Sequence, residues 1–187
     1  MVYRAHERAS DSRELMKMYG ECRYHAFEPI PKFASVLKRN WNGESRMTIH
    51  SYGIGKSDTT FSVSDAVLKG QATFITNDGN DNNTTGGGAN VAEIKSFDRV
   101  LGQIGSIPTL LHMNCEGCEW EFLVDAKEHG FLDAVPVIQV GWHNYGEVGL
   151  GARVWQLCEL RQMLSETHTM TNGLAFGWDR WERRKQQ

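Results

Sequence analysis

No apolar stretch among the 187 residues approaches the ~20 that a membrane-spanning helix needs, so a membrane is not an expected partner. Met1 to Arg13 lack the hydrophobic region of a signal peptide, and Glu7 and Asp11 argue against a transit peptide. Cysteine is scarce. The four present, Cys22, Cys115, Cys118 and Cys158, are too few to staple a chain of this size, so a reducing, cytoplasmic setting is the expectation. A basic excess is missing too. The formal charge of −3 gives no electrostatic reason to expect nucleic acid. Arg180, Arg183, Arg184 and Lys185 form only a short basic cluster, which reads as a solvated tail. There is no internal repeat and no linker. With 40% hydrophobic and 23% charged residues, 1–187 reads as one globular domain, weakly defined over residues 1–10.

What is there is organised around residues 109–123. Residues 109–113 carry no formal charge and follow Pro108, as a central parallel strand would. Residues 114–117 interrupt this run with polar groups and a glycine. An amphipathic helix then starts at Glu119, with Phe122, Leu123 and Ala126 inward, and Gly130 stops it. Upstream, Ser10 or Asp11 can cap a helix through Tyr19, and residues 22–27 read as a strand. Pro31 opens a helix with Phe33, Val36, Leu37 and Trp41 on one face. Residues 47–52, 59–63 and 91–95 read as strands, and 97–104 as a helix. Residues 77–90 are rich in Asn, Asp and Gly and read as a flexible loop that does not match a calcium-loop pattern. Downstream, 135–140 is a strand and 153–167 a helix burying Val154, Leu157, Cys158 and Leu164. Residues 169–178 close the chain as a strand region. Strands alternating with helices predict a mostly parallel sheet covered on both faces.

Ligands of open α/β sheets bind past the carboxyl ends of the strands. Glu28 follows the second strand, just before Pro29, where a carboxylate can accept hydrogen bonds from ribose hydroxyls. Its alternative role is a surface cap on the next helix. Asn114, Glu116 and Glu119 cluster at the central turn. Glu116 can act as a base or bind the amides of its own turn, and Glu119 is favoured by the helix dipole in any case. His143 follows the next strand and can carry a proton near neutral pH, or be structural. Cys115 and Cys118 form a C-x-x-C motif without a second pair, so small packing residues are expected there rather than a metal or redox site.

Four segments in order resemble the FkbM-type S-adenosylmethionine-dependent methyltransferases. His-Ala-Phe-Glu-Pro-Ile-Pro-Lys-Phe at 25–33 resembles their "AFEPxPxxF". Ile-Lys-Ser-Phe-Asp-Arg-Val-Leu at 94–101 resembles "VKTLDxLL". Leu-His-Met-Asn-Cys-Glu-Gly-Cys-Glu-Trp-Glu at 111–121 resembles "LLKIDVEGAEWE", and 137–143 resembles the strand after it. The likeness covers about residues 15–183, and residues 168–183 look like the methyltransferase-like branch of the family.

The resemblance implies an α/β/α, three-layer Rossmann-like methyltransferase fold. It also implies methyl transfer from S-adenosylmethionine, to an oxygen of a small molecule or glycan. Glu28, Pro29, Gly53 and Asn114 would border the cofactor, with Asn114, Glu116 and His143 at the reacting centre, and no metal is implied. Two departures stand out. Residues 1–10 hold no glycine, where the family has a first strand and a glycine turn, and Asn114 replaces the family's aspartate. If the first strand is missing, residues 2–5 must fill its slot, or its neighbours must pair directly. Losing the few turn hydrogen bonds, each worth about 1 kcal/mol, would move a micromolar cofactor affinity toward millimolar. Arg8 is the candidate substitute for the missing turn. The rival reading is a catalytically inactive domain that serves as an interaction module.

Overall fold

The computed structural model describes residues 2–3, 10–63, 91–115, 117–143, 150–174 and 176–185. The loop at 77–90, Arg8 and Glu116 lie outside the described residues.

One sheet has seven strands: β1 (Val2–Tyr3), β2 (Tyr24–Phe27), β3 (Met47–His50), β7 (Leu110–Met113), β8 (Val137–Gly141), β9 (His168–Gly173) and β10 (Trp178–Arg183). Their spatial order is β3-β2-β1-β7-β8-β10-β9. Strands from β3 across to β8 pair in parallel, while β10 runs antiparallel to both β8 and β9. A second sheet, in the order β4-β6-β5, holds β4 (Gly53–Gly55), β5 (Thr59–Ser62) and β6 (Val91–Ser96). There β4 pairs with β6 in parallel and β5 antiparallel. The expectation of a mostly parallel sheet is therefore met in part, since both sheets are mixed.

The slot between β2 and β7 is filled. Val2 and Tyr3 pair with Ala26 and Phe27 on one side, and with His112 and Met113 on the other. Of the two arrangements expected, the first is found: the start of the chain fills the slot, as a strand two residues long. It gives the central backbone groups of β2 and β7 partners that they would otherwise lack.

The helices are α1 (Ser10–Met18), α2 (Pro31–Asn40), α3 (Phe97–Ile104), α4 (Glu119–Glu128), α5 (Phe131–Ala134) and α6 (Leu150–Ser165). Side chains alternate across each strand. Leu111 and Met113 enter the larger apolar cluster, with Phe97, Phe122, Leu123, Leu157 and Leu164 from the helices. Leu110 packs on the smaller cluster, with Leu15 and Met16 of α1, Leu37 of α2, and Trp41.

Three local readings change. The run at 47–52 ends at His50, and the chain enters the second sheet at Gly53. A Cβ at Gly53 would meet the tip of the Ile94 side chain at 2.6 Å and Pro29 at 3.4 Å, so the chain packs closely at this crossing. On α6, Leu157, Leu160 and Leu164 are buried, whereas Val154 is 42% exposed and Cys158 is exposed. Apolar residues occupy more than one face of this helix, and position relative to the sheet selects among them. Finally, residues 169–178 are not one strand but the first arm and turn of the β9–β10 hairpin.

Arg161 of α6 grips Asp179 of β10 with two charge-assisted hydrogen bonds, at 2.8 and 2.7 Å. The Asp179 side chain is fully buried. Removing it strands a partly buried guanidinium, so Asp179→Ala is expected to cost about 3 kcal/mol and lower the melting temperature by about 6–12 °C. Thermal unfolding checks this, and an unchanged melting temperature would contradict it.

Candidate functional site

Parallel strands bring their carboxyl ends to one edge. Glu28 follows β2, Asn114 follows β7, and Trp142 and His143 follow β8. β1 separates the ends of β2 and β7, so these lie about two strand spacings, ~10 Å, apart. The order reverses here, because β2 lies to one side of β1 and β7 to the other. Such a switch point is where open α/β sheets hold ligands.

Glu28 is fully buried, not a surface cap. Its Oε1 accepts the Ile30 backbone N–H at 2.9 Å, at the entrance to α2, and its own N–H donates to the His50 carbonyl. Pro29 packs toward Gly53. Asn114 donates its side-chain amide to Asp11 Oδ2 at 3.0 Å. An acidic group from α1 thus stands beside the amide that replaces the family's aspartate. The same Asp11 oxygen lies 3.5 Å from His112 Nε2, while His112 Nδ1 meets Gln139 at 3.1 Å.

Glu119 is the hub of the edge, and it is fully buried. Its Oε1 accepts the His143 backbone N–H at 2.6 Å and lies 3.3 Å from His143 Nδ1. Its Oε2 accepts the Gly117 N–H at 3.0 Å. One carboxylate therefore joins the turn after β7 to the loop after β8. A proton fixed on His143 Nδ1 leaves Nε2 as the basic nitrogen of the ring. Trp120 Nε1 donates to the His143 carbonyl at 2.9 Å, and Arg153 lies 4.8 Å from the Trp120 ring centre.

Cys115 and Cys118 are joined in a disulfide, which corrects the expectation of two packing thiols. The turn brings their Cα atoms to 5.4 Å, within bridging reach, and Gly117 takes the left-handed φ of +105° that this turn requires. Among the described residues no group of three or more His, Cys, Asp or Glu side chains could hold a metal ion.

Beside Glu28, a polar relay runs through the ends of β2 and β3. Tyr52 donates to Gln103 Oε1 at 2.5 Å, and its oxygen meets His50 Nδ1 at 2.9 Å. His50 Nε2 meets His25 Nδ1 at 3.0 Å. Donor counting assigns the Nδ1–H form to both rings. Lys95 sits 3.9 Å over the Tyr52 ring. Sequence reasoning missed this relay. Its signal was the i, i+2 spacing of His25 with Phe27, which puts that pair on one face of β2, and of His50 with Tyr52 just past the end of β3.

One cavity opens away from this edge, and another adjoins it through Asp11. The first, of about 200 Å³, lies at the amino ends of the strands, beside Tyr19, Arg23, Tyr24 and Arg180. The second, of about 310 Å³, lies over the sheet face at His112, Gln139 and Trp178.

Fold and edge define a mixed α/β domain with a polar site at the carboxyl ends of its parallel strands. The chain belongs to the FkbM methyltransferase domain family, whose profile matches residues 5–167. Its structure is similar to the crystal structure of methyltransferase FkbM from Methylobacillus flagellatus KT, with a TM-score of 0.59 at 16% identity. That likeness is one of fold, covering 97% of this chain and 42% of the other, so this chain spans less than half the length of that protein. No curated protein matches the chain.

The relay makes stability pH-dependent. Burial, then the neighbouring His25, Lys95 and Lys38, push His50 down from 6.5 to about 4. Burial, then the chain's amino terminus and Arg23, lower His25. The unfolded chain therefore binds protons that the folded one refuses. The stabilising contribution is whole above pH 6.5 and is lost as the pH falls toward about 4. Urea midpoints measured across this range should fall with pH, and His50→Gln should flatten the fall. An equal slope in that variant would remove the relay as its cause.

Proposed function

We propose that this domain is an S-adenosylmethionine-dependent methyltransferase domain with a three-layer, Rossmann-like architecture, acting on an oxygen of a small molecule or glycan. Two apolar clusters on opposite faces of the seven-stranded sheet support the architecture. The observation that carries the reading is the gathering of Glu28, Asn114 and His143 on one strand edge at the switch point.

The donor set fits such a cofactor. The Ile30 N–H engages Glu28 Oε1 at the entrance to α2. Burial of Glu28 fixes its direction, as recognition of a ribose diol requires. Pro29 and Gly53 form the close-packed floor beside it. The cofactor, when bound, supplies an electrophilic methyl group. Asn114 borders the reacting centre and is oriented by Asp11. Glu116 is assigned to this centre by its place in the sequence motif alone. His143 is the base. Glu119 holds its Nδ1 side, and Nε2 takes the acceptor hydroxyl's proton. The rest of the site orients the two reactants, which removes much of the entropic barrier.

Calorimetry of the purified chain with S-adenosylmethionine tests this. The expected result is binding near the millimolar range, because the sequence 1–10 contains no glycine, and a loss of about tenfold in Glu28→Gln. An absence of heat at high cofactor concentration, or unchanged binding in Glu28→Gln, would remove the reading.

A further inference from the structure

The C-x-x-C motif has no part in methyl transfer, yet it lies in the middle of the edge. Its disulfide spans the turn between β7 and α4. Cys115 is fully buried, and Cys118, the residue before α4, is partly exposed. Cys22 and Cys158 are both exposed and free. The Cys115 sulfur stands 3.3 Å from Glu119 Oε2. A disulfide sulfur has no hydrogen to donate there, whereas a thiol has one. The oxidation state of the pair therefore decides whether Glu119 Oε2 receives a donor from Cys115 besides the Gly117 N–H. The other oxygen of that carboxylate holds the His143 backbone. Sulfur, carboxylate and histidine form one continuous contact chain.

We propose that Cys115 and Cys118 form a reversible redox site, exchanging with small thiols and disulfides, whose state passes through Glu119 to His143. Cys118, the partly exposed member of the pair, is the point of entry. An external thiolate attacks Cys118 Sγ, the protein's S–S bond breaks, and Cys115 leaves as a thiolate. It takes a proton from water and, as a thiol, donates to Glu119 Oε2. A second external thiolate attacks the mixed disulfide at the external sulfur and releases Cys118, whose thiolate the helix N-terminus favours. With a second proton taken by Cys118 from water, the protein's S–S bond becomes two S–H groups, and the two external thiols, having given up their protons to water, become one disulfide. Two electrons and two protons move, and the external thiol is the reductant. The reverse sequence needs only an external disulfide as oxidant.

The test uses the full chain, labelled with ¹⁵N, with Cys22→Ser and Cys158→Ser so that only the pair reports. The protein is equilibrated in glutathione buffers of graded reduced-to-oxidised ratio. Alkylation followed by mass spectrometry counts the thiols. The amide signals of Gly117 and His143, both bonded to Glu119, report the site. The expected result is two thiols appearing together, with both amide signals moving in step. In Cys115→Val/Cys118→Ala, which has the apolar pair of the family segment, both signals should stay fixed across the same buffers. Cys118→Ala alone keeps a permanent thiol at 115 and should place both signals near their reduced positions. Three results would overturn the proposal: alkylation of both thiols at every ratio, a disulfide that survives excess dithiothreitol in the folded protein, or amide signals that ignore a completed reduction. None of these readouts uses activity, so their failure leaves the methyl-transfer reading intact.

Discussion

A carboxylate with no solvent contact holds the carboxyl edge of the sheet together. Burying a charge is expensive unless hydrogen bonds replace its water. Glu119 is wholly buried, and its two oxygens accept the backbone N–H groups of His143 and Gly117. These donors come from different loops, one after β8 and one after β7. Neither loop belongs to a regular element there, so the carboxylate does what a strand ladder does elsewhere. The first turn of α4 is a favourable place for it, because the unpaired amides of a helix start favour negative charge. The position of His143 is thus a consequence of Glu119, and the chemistry assigned to that ring depends on the same contact.

The remainder of the edge follows from strand order. Two residues at the start of the chain complete the parallel array, and their partners on either side are the strands that end in Glu28 and Asn114. The histidine relay stiffens the outer part of the edge. Phe27 stacks on the His50 ring at 4.5 Å, and Glu28 is tied to the His50 carbonyl. On the far side, Arg161 and Asp179 lock α6 to the antiparallel strand β10. Polar contacts that are well satisfied therefore flank the site on both sides.

Much of this was legible in the sequence because local signals and tertiary demands agreed. Pro31 with Phe33 and Leu37 marks α2, and the uncharged run before Asn114 marks β7. Glu28 and His143 were legible as candidates because each follows a strand. The fate of Glu119 was not, since burial depends on what α4 packs against. Nor was Asp11, which meets Asn114 across 103 positions of chain. The β9–β10 hairpin was legible in Asn172-Gly173 and Gly177, which bracket Leu174 and Phe176, but these turn signals fell inside the run read as one strand region. The C-x-x-C motif was misread for another reason. Spacing says that two thiols are close, while only the turn geometry says that they can bridge.

The proposed ligand site is the carboxyl edge and not the cavity at the amino ends of the strands. Amide chemical-shift mapping of the labelled chain, titrated with S-adenosylhomocysteine, tests it most directly. The account predicts shifts concentrated at Glu28 to Ile30, at Asn114 to Glu119, and at Trp142 and His143. Shifts confined to the opposite edge, around Tyr19, Arg23 and Arg180, would contradict it.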